Sequence, residues 1–502
     1  MTSSFPKFKP VTGRAMAVLI AFAVSGCAVG PNFREPAAPV VDRYTRTALP
    51  ESTVSAATPG GDAQRFLADR NVPQHWWVSF GNAELDRRVK TALENSPTIA
   101  SAQAALQQAE ENAKAAGGSL FPSLDANAGA TRAKESGIQT GTGQPIGPYT
   151  VYNAGVSVSY VFDLFGGVRR GIEAQQAQAD VQRAQLDATY LTLAANVVTA
   201  SLQEASLREQ VHATKRIVES LKQELDIAKK QQAIGAKSLS DTLAVRSQLA
   251  ATEATLPPLR KQLAATQNQL ATYLGVTPAQ LELQPITLAN VTLPTDIPVS
   301  LPSTLVAQRP DIRAASAQLH AATAKVGVAT ADMLPQLTLS GSYTSEALTT
   351  SGLFAAGAGG WSLGVGLLQP LFHGGQLLHQ KRAAEAGMDE ALADWQQVVL
   401  TAFQNVADSL QALEFDADSL KVQNTAERDA YKLLELTRAQ YRVGAVNYLN
   451  LLSAEQQYQQ ARIALIQART ARLADTAALY AALGGGWQGG AQITEAKHAA
   501  KH

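Results

Sequence analysis

The chain has 502 residues, with 42 basic and 42 acidic side chains, seven histidines and a single cysteine. Balanced charge argues against a nucleic-acid footprint, and one cysteine excludes an intramolecular disulfide or a cysteine-based metal cluster. Abundant Ala, Gln and Leu with only 6% aromatic residues favour long helices packed closely together.

At the N-terminus, Lys7, Lys9 and Arg14 precede an apolar stretch from Ala15 to Val24. That stretch is about ten residues long, short of the roughly 20 needed to span a bilayer as a helix. Val24-Ser25-Gly26-Cys27 then resembles a bacterial lipobox. Residues 1–26 therefore read as a removable signal, and Cys27 as an acylated membrane anchor whose lipid is the only non-protein group expected. Ala28, where an aspartate would signal inner-membrane retention, favours the outer membrane. Residues 27–80 contain scattered Pro and Ser and read as an extended segment. No run of 18 apolar residues follows the signal, so any crossing of a membrane must be made by β-strands in a closed barrel.

The remainder is written twice. Pro97, Ile99, Leu106, Ala109 and Pro122 match Pro310, Ile312, Leu319, Ala322 and Pro335. "DLFGG" at Asp163 recurs as "PLFHGG" at Pro370, and "AIGAKSLSDTL" around Gly235 as "RVGAVNYLNLL" around Gly444. The offset is a little over 200 residues throughout, the mark of a tandem duplication. The first repeat, 81–275, reads as a helix, strands near 121–133 and 149–165, a long helix over 168–233 and another over 239–273. Residues 276–302, rich in proline, form the linker. The second repeat, 303–483, reads as a helix, strands near 335–346 and 361–372, a long helix over 375–442 and another over 448–483. Residues 484–502 read as a disordered tail.

Both pattern types are explicit. Tyr152, Ala154, Val156, Val158, Tyr160, Phe162 and Leu164 alternate with Asn153, Gly155, Ser157, Ser159 and Asp163. Trp361, Leu363, Val365 and Leu367 alternate with Ser362, Gly364 and Gly366. Such a period of two suits lipid on one face and water on the other. In the first long helix, Leu186, Leu193, Ala200, Leu207, Leu221 and Ala228 keep a seven-residue spacing, with Tyr190, Val197, Val211, Val218 and Leu225 four positions behind. Leu392, Val399, Val406, Leu413 and Leu420 repeat the device in the second. This is a coiled-coil seam, on a helix of about 100 Å.

Four strands cannot close a membrane barrel, so copies of the chain must share one. Two copies give eight strands and three give twelve; the pattern alone leaves the choice open. Either way the fold class is α+β, a shared transmembrane barrel with long coiled-coil helices, and the object is an open-ended conduit. No covalent chemistry is visible. Histidines 75, 212, 320, 373, 379, 498 and 502 show no metal-ligand spacing. "GGVRRG" at Gly166 lacks the Lys-Ser/Thr of a phosphate loop and reads as a strand-to-helix bend. Neither an enzyme nor a metal site is expected.

"CAVGPNFREP" from Cys27, "WWVSFGNAELDRRVKTALENSPTI" from Trp76, the duplicated strand–helix unit and "YRVGAVNYLNLLSAEQQ" from Tyr441 together resemble the TolC-type outer membrane factors, in their efflux-lipoprotein branch. That resemblance implies a homotrimer with a twelve-stranded barrel in the outer membrane, four strands per chain, and a helical tunnel in the periplasm. It implies an adaptor protein and an inner-membrane pump as partners, and small molecules such as drugs, toxic compounds or metal ions as cargo. It also implies that the turns Gly235-Ala236-Lys237 and Gly444-Ala445-Val446 form the periplasmic tip, where the adaptor docks and the tunnel closes. By position after Gly444, Leu449 matches the residue that constricts the closed aperture, and Tyr441 one that ties neighbouring helices together. Ser453 stands where relatives often carry an aspartate, which puts a charged ring at the gate in doubt. Two other readings stay open: an exit duct for protein secretion, and a periplasmic coiled-coil scaffold lipoprotein.

Overall fold

The computed structural model describes residues 28–136 and 146–485. The expected signal, Cys27 and the tail beyond residue 485 lie outside them. No described helix is long and apolar enough to cross a membrane. The chain divides into two compact units.

The first unit contains residues up to 35, 107–181 and 315–395. Its centre is an antiparallel sheet of β2 (Ser123–Glu135), β3 (Ile146–Phe162), β5 (Gln336–Ala347) and β6 (Gly359–Leu368), in the order β2-β3-β5-β6. Each repeat supplies one hairpin, and β3 joins β5 across the duplication. The registers align like with like. Leu124 lies opposite Val158, Val156 opposite Tyr343, and Tyr343 opposite Trp361. Gly341 sits between Val158 and Leu363, completing an apolar face that is solvent-exposed in the single chain. Trp361 and Leu363 are 75% and 77% exposed. The other face is polar, with Ser157 opposite Ser342 and Ser342 bonded to Ser362 at 2.9 Å. Strand β6 ends at Leu368, four residues before the expected limit, where Gln369 turns to donate to the Met333 carbonyl.

An N-terminal strap closes onto the same unit. Val29 N donates to the Phe165 carbonyl at 2.9 Å. Buried Arg170 donates to Val29 O and to Asn32 Oδ1, and the Phe33 ring stacks on His320 at 4.4 Å. Gly30 has φ +89°, and a Cβ there would stand 2.5 Å from Gly327 Cα. Only glycine permits that approach.

The second unit contains residues 36–106, 182–314 and 396 onward. Short helices α1 (Ala83–Asn95) and α2 (Pro97–Gly117) precede α3 (Gly167–Ala233). Then follow α4 (Leu239–Ala254), α5 (Leu256–Tyr273), α6 (Pro302–Gln308) and α7 (Pro310–Ala331). The chain ends in α8 (Gln376–Arg442) and α9 (Tyr448–Ala482). The residue ranges of α2, α3, α7 and α8 are divided between the two units. The single helix expected over 239–273 is two, broken at Thr255. Pro257 and Pro258 have no N–H to continue the ladder, and Thr255 Oγ1 caps back to the Thr252 carbonyl at 2.7 Å.

Every heptad residue read from α3 is buried, and Glu204 and Thr214 occupy seam positions among them. In α8 the buried line is Val399, Ala402, Val406, Leu410, Leu413, Ala417 and Leu420. Two consecutive steps of four, at Val406 and Leu410, interrupt its heptads. Leu392, expected on this seam, is exposed; Ala391 and Trp395 are buried in its place.

The N-terminal segment is more structured than an extended run. β1 (Arg65–Ala68) pairs in parallel with β4 (Asp296–Val299) from the linker. A 3-10 turn at Trp76–Phe80 buries Trp76 and Phe80 against Tyr480, with Trp77 edge-on to Trp76. Arg472, fully buried, holds the segment with bonds to Thr53 Oγ1, Gly60 O, Asp62 O and Gln64 Oε1.

Candidate functional site at the helical tip

Two reversals, α3 to α4 and α8 to α9, carry the residues singled out from the sequence. They are built alike. Gly235 N donates to Gln232 O and Ala236 N to Gln231 O; Gly444 N donates to Tyr441 O and Ala445 N to Gln440 O. Both are Schellman caps, and both glycines take φ +73°. Ser238 then caps α4 in a reciprocal box with Asp241, and Asn447 caps α9 through the Asn450 N–H.

The two turns are joined by a cation and two rings. Lys237 Nζ lies 4.7 Å from the Tyr441 ring centroid and 4.8 Å from that of Tyr448. The rings meet edge to face at 5.8 Å. An ammonium over two π-faces is held by their quadrupoles, at about 0.5–1 kcal/mol each where partly solvated. Lys237 therefore serves inside the chain, as a tie from the first repeat to the second. Ala236, Ala445 and Ser453 are exposed, and Val446 is half-buried. Leu449 is 60% exposed in the single chain and stands one turn before Ser453 on the same face of α9. Tyr441 is half-buried.

Behind this tie lies a polar cluster, partly buried, that hydrophobic spacing does not announce. Tyr448 Oη donates to Glu224 Oε2 at 3.5 Å. Glu455 is the neighbouring carboxyl group that acts on Glu224. Arg438 Nη2 donates to Glu455 Oε1 at 3.1 Å and to Ser220 Oγ at 3.3 Å, while Nη1 reaches Glu435 at 3.2 Å. Burial pushes the Glu224 carboxyl up to about 8, helped by the neighbouring Glu455 and opposed by Arg438. Burial and the same carboxylates push the Tyr448 phenol above its usual range. One available signal was Glu455 itself, a carboxylate on the buried side of α9 beside Tyr448, Leu451 and Ala454. Among the described residues no cluster of His, Cys, Asp or Glu is arranged to hold a metal ion.

The outer membrane efflux protein family profile matches residues 89–276 and 301–485, one match per repeat. The chain is 32% identical over 419 residues to the pyoverdine export outer membrane protein OpmQ of Pseudomonas putida, covering 83% of this chain and 88% of that protein. The structure of the outer-membrane channel OprN superposes with a TM-score of 0.81 at 28% identity, over 92% of this chain and 100% of the other. The open state of the Neisseria gonorrhoeae MtrE outer membrane channel gives 0.77 at 25% identity, over 92% and 98%. With the duplicated sheet-and-helix architecture, these matches show that the chain belongs to the outer membrane efflux protein family, as the non-catalytic outer-membrane channel of a small-molecule efflux system.

Proposed function

We propose that three copies of the chain form a passive, gated duct, anchored by a lipid on Cys27, that receives solutes from a periplasmic adaptor and an inner-membrane pump. The observation that carries this reading is the sheet. β2 and β6 both present an open edge, and one face is apolar and exposed over its middle rows, through Val156, Val158, Leu339, Trp361, Leu363 and Val365. In a bilayer both edges must be paired, and β6 of one copy against β2 of the next continues the antiparallel order. Three chains give twelve strands, enough for a lumen. The strap supports the anchor: residues from Ala28 onward are fixed beside the end of β3, next to Gly166. The MtrE open state, a relative's conformation, supports a tip that can change aperture.

In this reading Leu449 narrows the closed tip, Tyr441 and Lys237 tie it, and Ser453 leaves the ring uncharged. The turns at Gly235–Lys237 and Gly444–Val446 receive the adaptor. The mass of the detergent-extracted particle, corrected for bound detergent, tests the assembly. Three chains are expected; a single chain would leave the strand edges open and overturn the barrel. Leu449→Ala tests the aperture. Resting conductance in a planar bilayer is expected to rise several-fold, and an unchanged value would remove Leu449 from the constriction.

A further inference from the structure

Two carboxyl groups face each other across the α3–α9 contact with one guanidinium between them and their neighbours. Glu455 Oε1 is satisfied by Arg438. Glu455 Oε2 is buried and has no donor in the described structure. Glu224 already accepts from Tyr448. An unpaired buried carboxylate oxygen beside another carboxylate is costly, and a proton held between the two supplies the missing donor. We propose that Glu224 and Glu455 share one proton and that this proton, acting through Tyr448, positions the first turns of α9 at the tip.

Tyr448 makes the link physical. Its hydroxyl rests on Glu224, and its ring packs under Lys237 and against Tyr441. Losing the proton places two negative charges in a largely desolvated site, with Glu455 buried and Glu224 half-buried, whose arginine is itself shared with Glu435. The pair then separates and takes Tyr448 with it. Glu224 is raised above its unfolded value, so the tight arrangement is present at low and neutral pH. It is lost as pH rises through about 8. The other charged and phenolic groups around the pair come from α3, α4, α8, α9 and the turn between α3 and α4. Arg438 on α8 is strengthened by Glu455, and Tyr448 is pushed up. Lys237 lies above the rings, and the Lys222–Glu253 ion pair lies on the α3–α4 side.

The inference rests on the gate reading only for its effect on conductance. The test compares the full-length wild type with Glu224→Gln, whose amide donates to Glu455 at every pH and so imitates the protonated pair. Hydrogen exchange of residues 448–455 is measured at about pH 6 and about pH 9, always as a ratio of the two proteins, which cancels the intrinsic pH dependence of exchange. Equal rates are expected at the lower pH, and wild-type exchange about ten-fold faster than the variant at the higher. Wild-type conductance should rise over the same interval while that of Glu224→Gln stays flat. Equal exchange at the higher pH would overturn the shared proton. A ten-fold difference with flat conductance would retain the proton as a positioning device; if Leu449→Ala were also silent, the gate reading would be the one to fall.

Discussion

Leu363→Arg is expected to weaken folding of the channel into lipid by about 2–4 kcal/mol, the cost of arginine on a barrel's lipid face near mid-membrane. Ser362→Arg, one residue away, is expected to cost far less, because its side chain points to the opposite face. The contrast follows from strand geometry. Leu363 stands opposite Gly341 with its side chain 77% exposed in the single chain, and it belongs to the band that includes Val158, Tyr343, Trp361 and Val365. Ser362 stands opposite Ser342 and exchanges a hydroxyl hydrogen bond with it. Denaturant-dependent refolding into vesicles of fixed thickness reads both variants. Equal costs would mean that water reaches both faces, and the sheet would then belong to a scaffold outside the membrane.

Arg472→Ala is expected to destabilise the helical unit by about 3 kcal/mol or more. The guanidinium is fully buried and serves acceptors on Thr53, Gly60, Asp62 and Gln64, all from the N-terminal segment. Its charge also faces Asp416, which burial and the adjacent Asp475 push up to about 7. Truncation leaves acceptors without donors and removes the guanidinium charge that opposes the rise of Asp416. A lowered thermal midpoint with new protease cleavage between residues 53 and 64 is the expected signature. Arg65→Ala is the control. Its partner Asp296 is bonded at 2.7 Å, but both side chains are more than half exposed, so its loss should cost less than about 1 kcal/mol. Comparable destabilisation by the two would remove Arg472 from its role as the tie.

What could be read from the chain divides by the kind of signal. Long, regular patterns were legible: the seam of α3 from Leu186 to Ala228 has thirteen positions and is apolar at all but two, and burial of one stripe is what makes such a helix stable. The alternation in β3 and β6 was equally plain, because a one-residue slip would invert every side chain. The seam of α8 was read one residue out of place at Leu392, since a strict seven-residue count cannot follow consecutive steps of four. Interactions distant in sequence left little trace. Arg170 with Asn32, Arg472 with Thr53 and Glu224 with Glu455 are single side chains whose partners lie far along the chain, and no periodicity marks them. At the tip, Gly235 and Gly444 were visible as turn residues, whereas the tie between the turns depends on where Lys237 points.

The polar face of the sheet bears on which solutes could pass. Along the four strands it presents Asn127, Asn153, Ser157, Ser159, Thr338, Ser340, Ser342 and Ser362, with Asp125 and Glu346 the charged groups among their neighbours. Hydroxyls and amides offer both donors and acceptors and carry no fixed field. A passage walled this way would discriminate little between cations and anions and would sort solutes mainly by girth. Its permeability ratio for potassium over chloride should lie near unity once the tip is open, with only a mild cationic lean from the two carboxylates. Chemical choice among cargoes would then fall to whatever loads the duct, and the outer segment could serve many unrelated compounds without alteration.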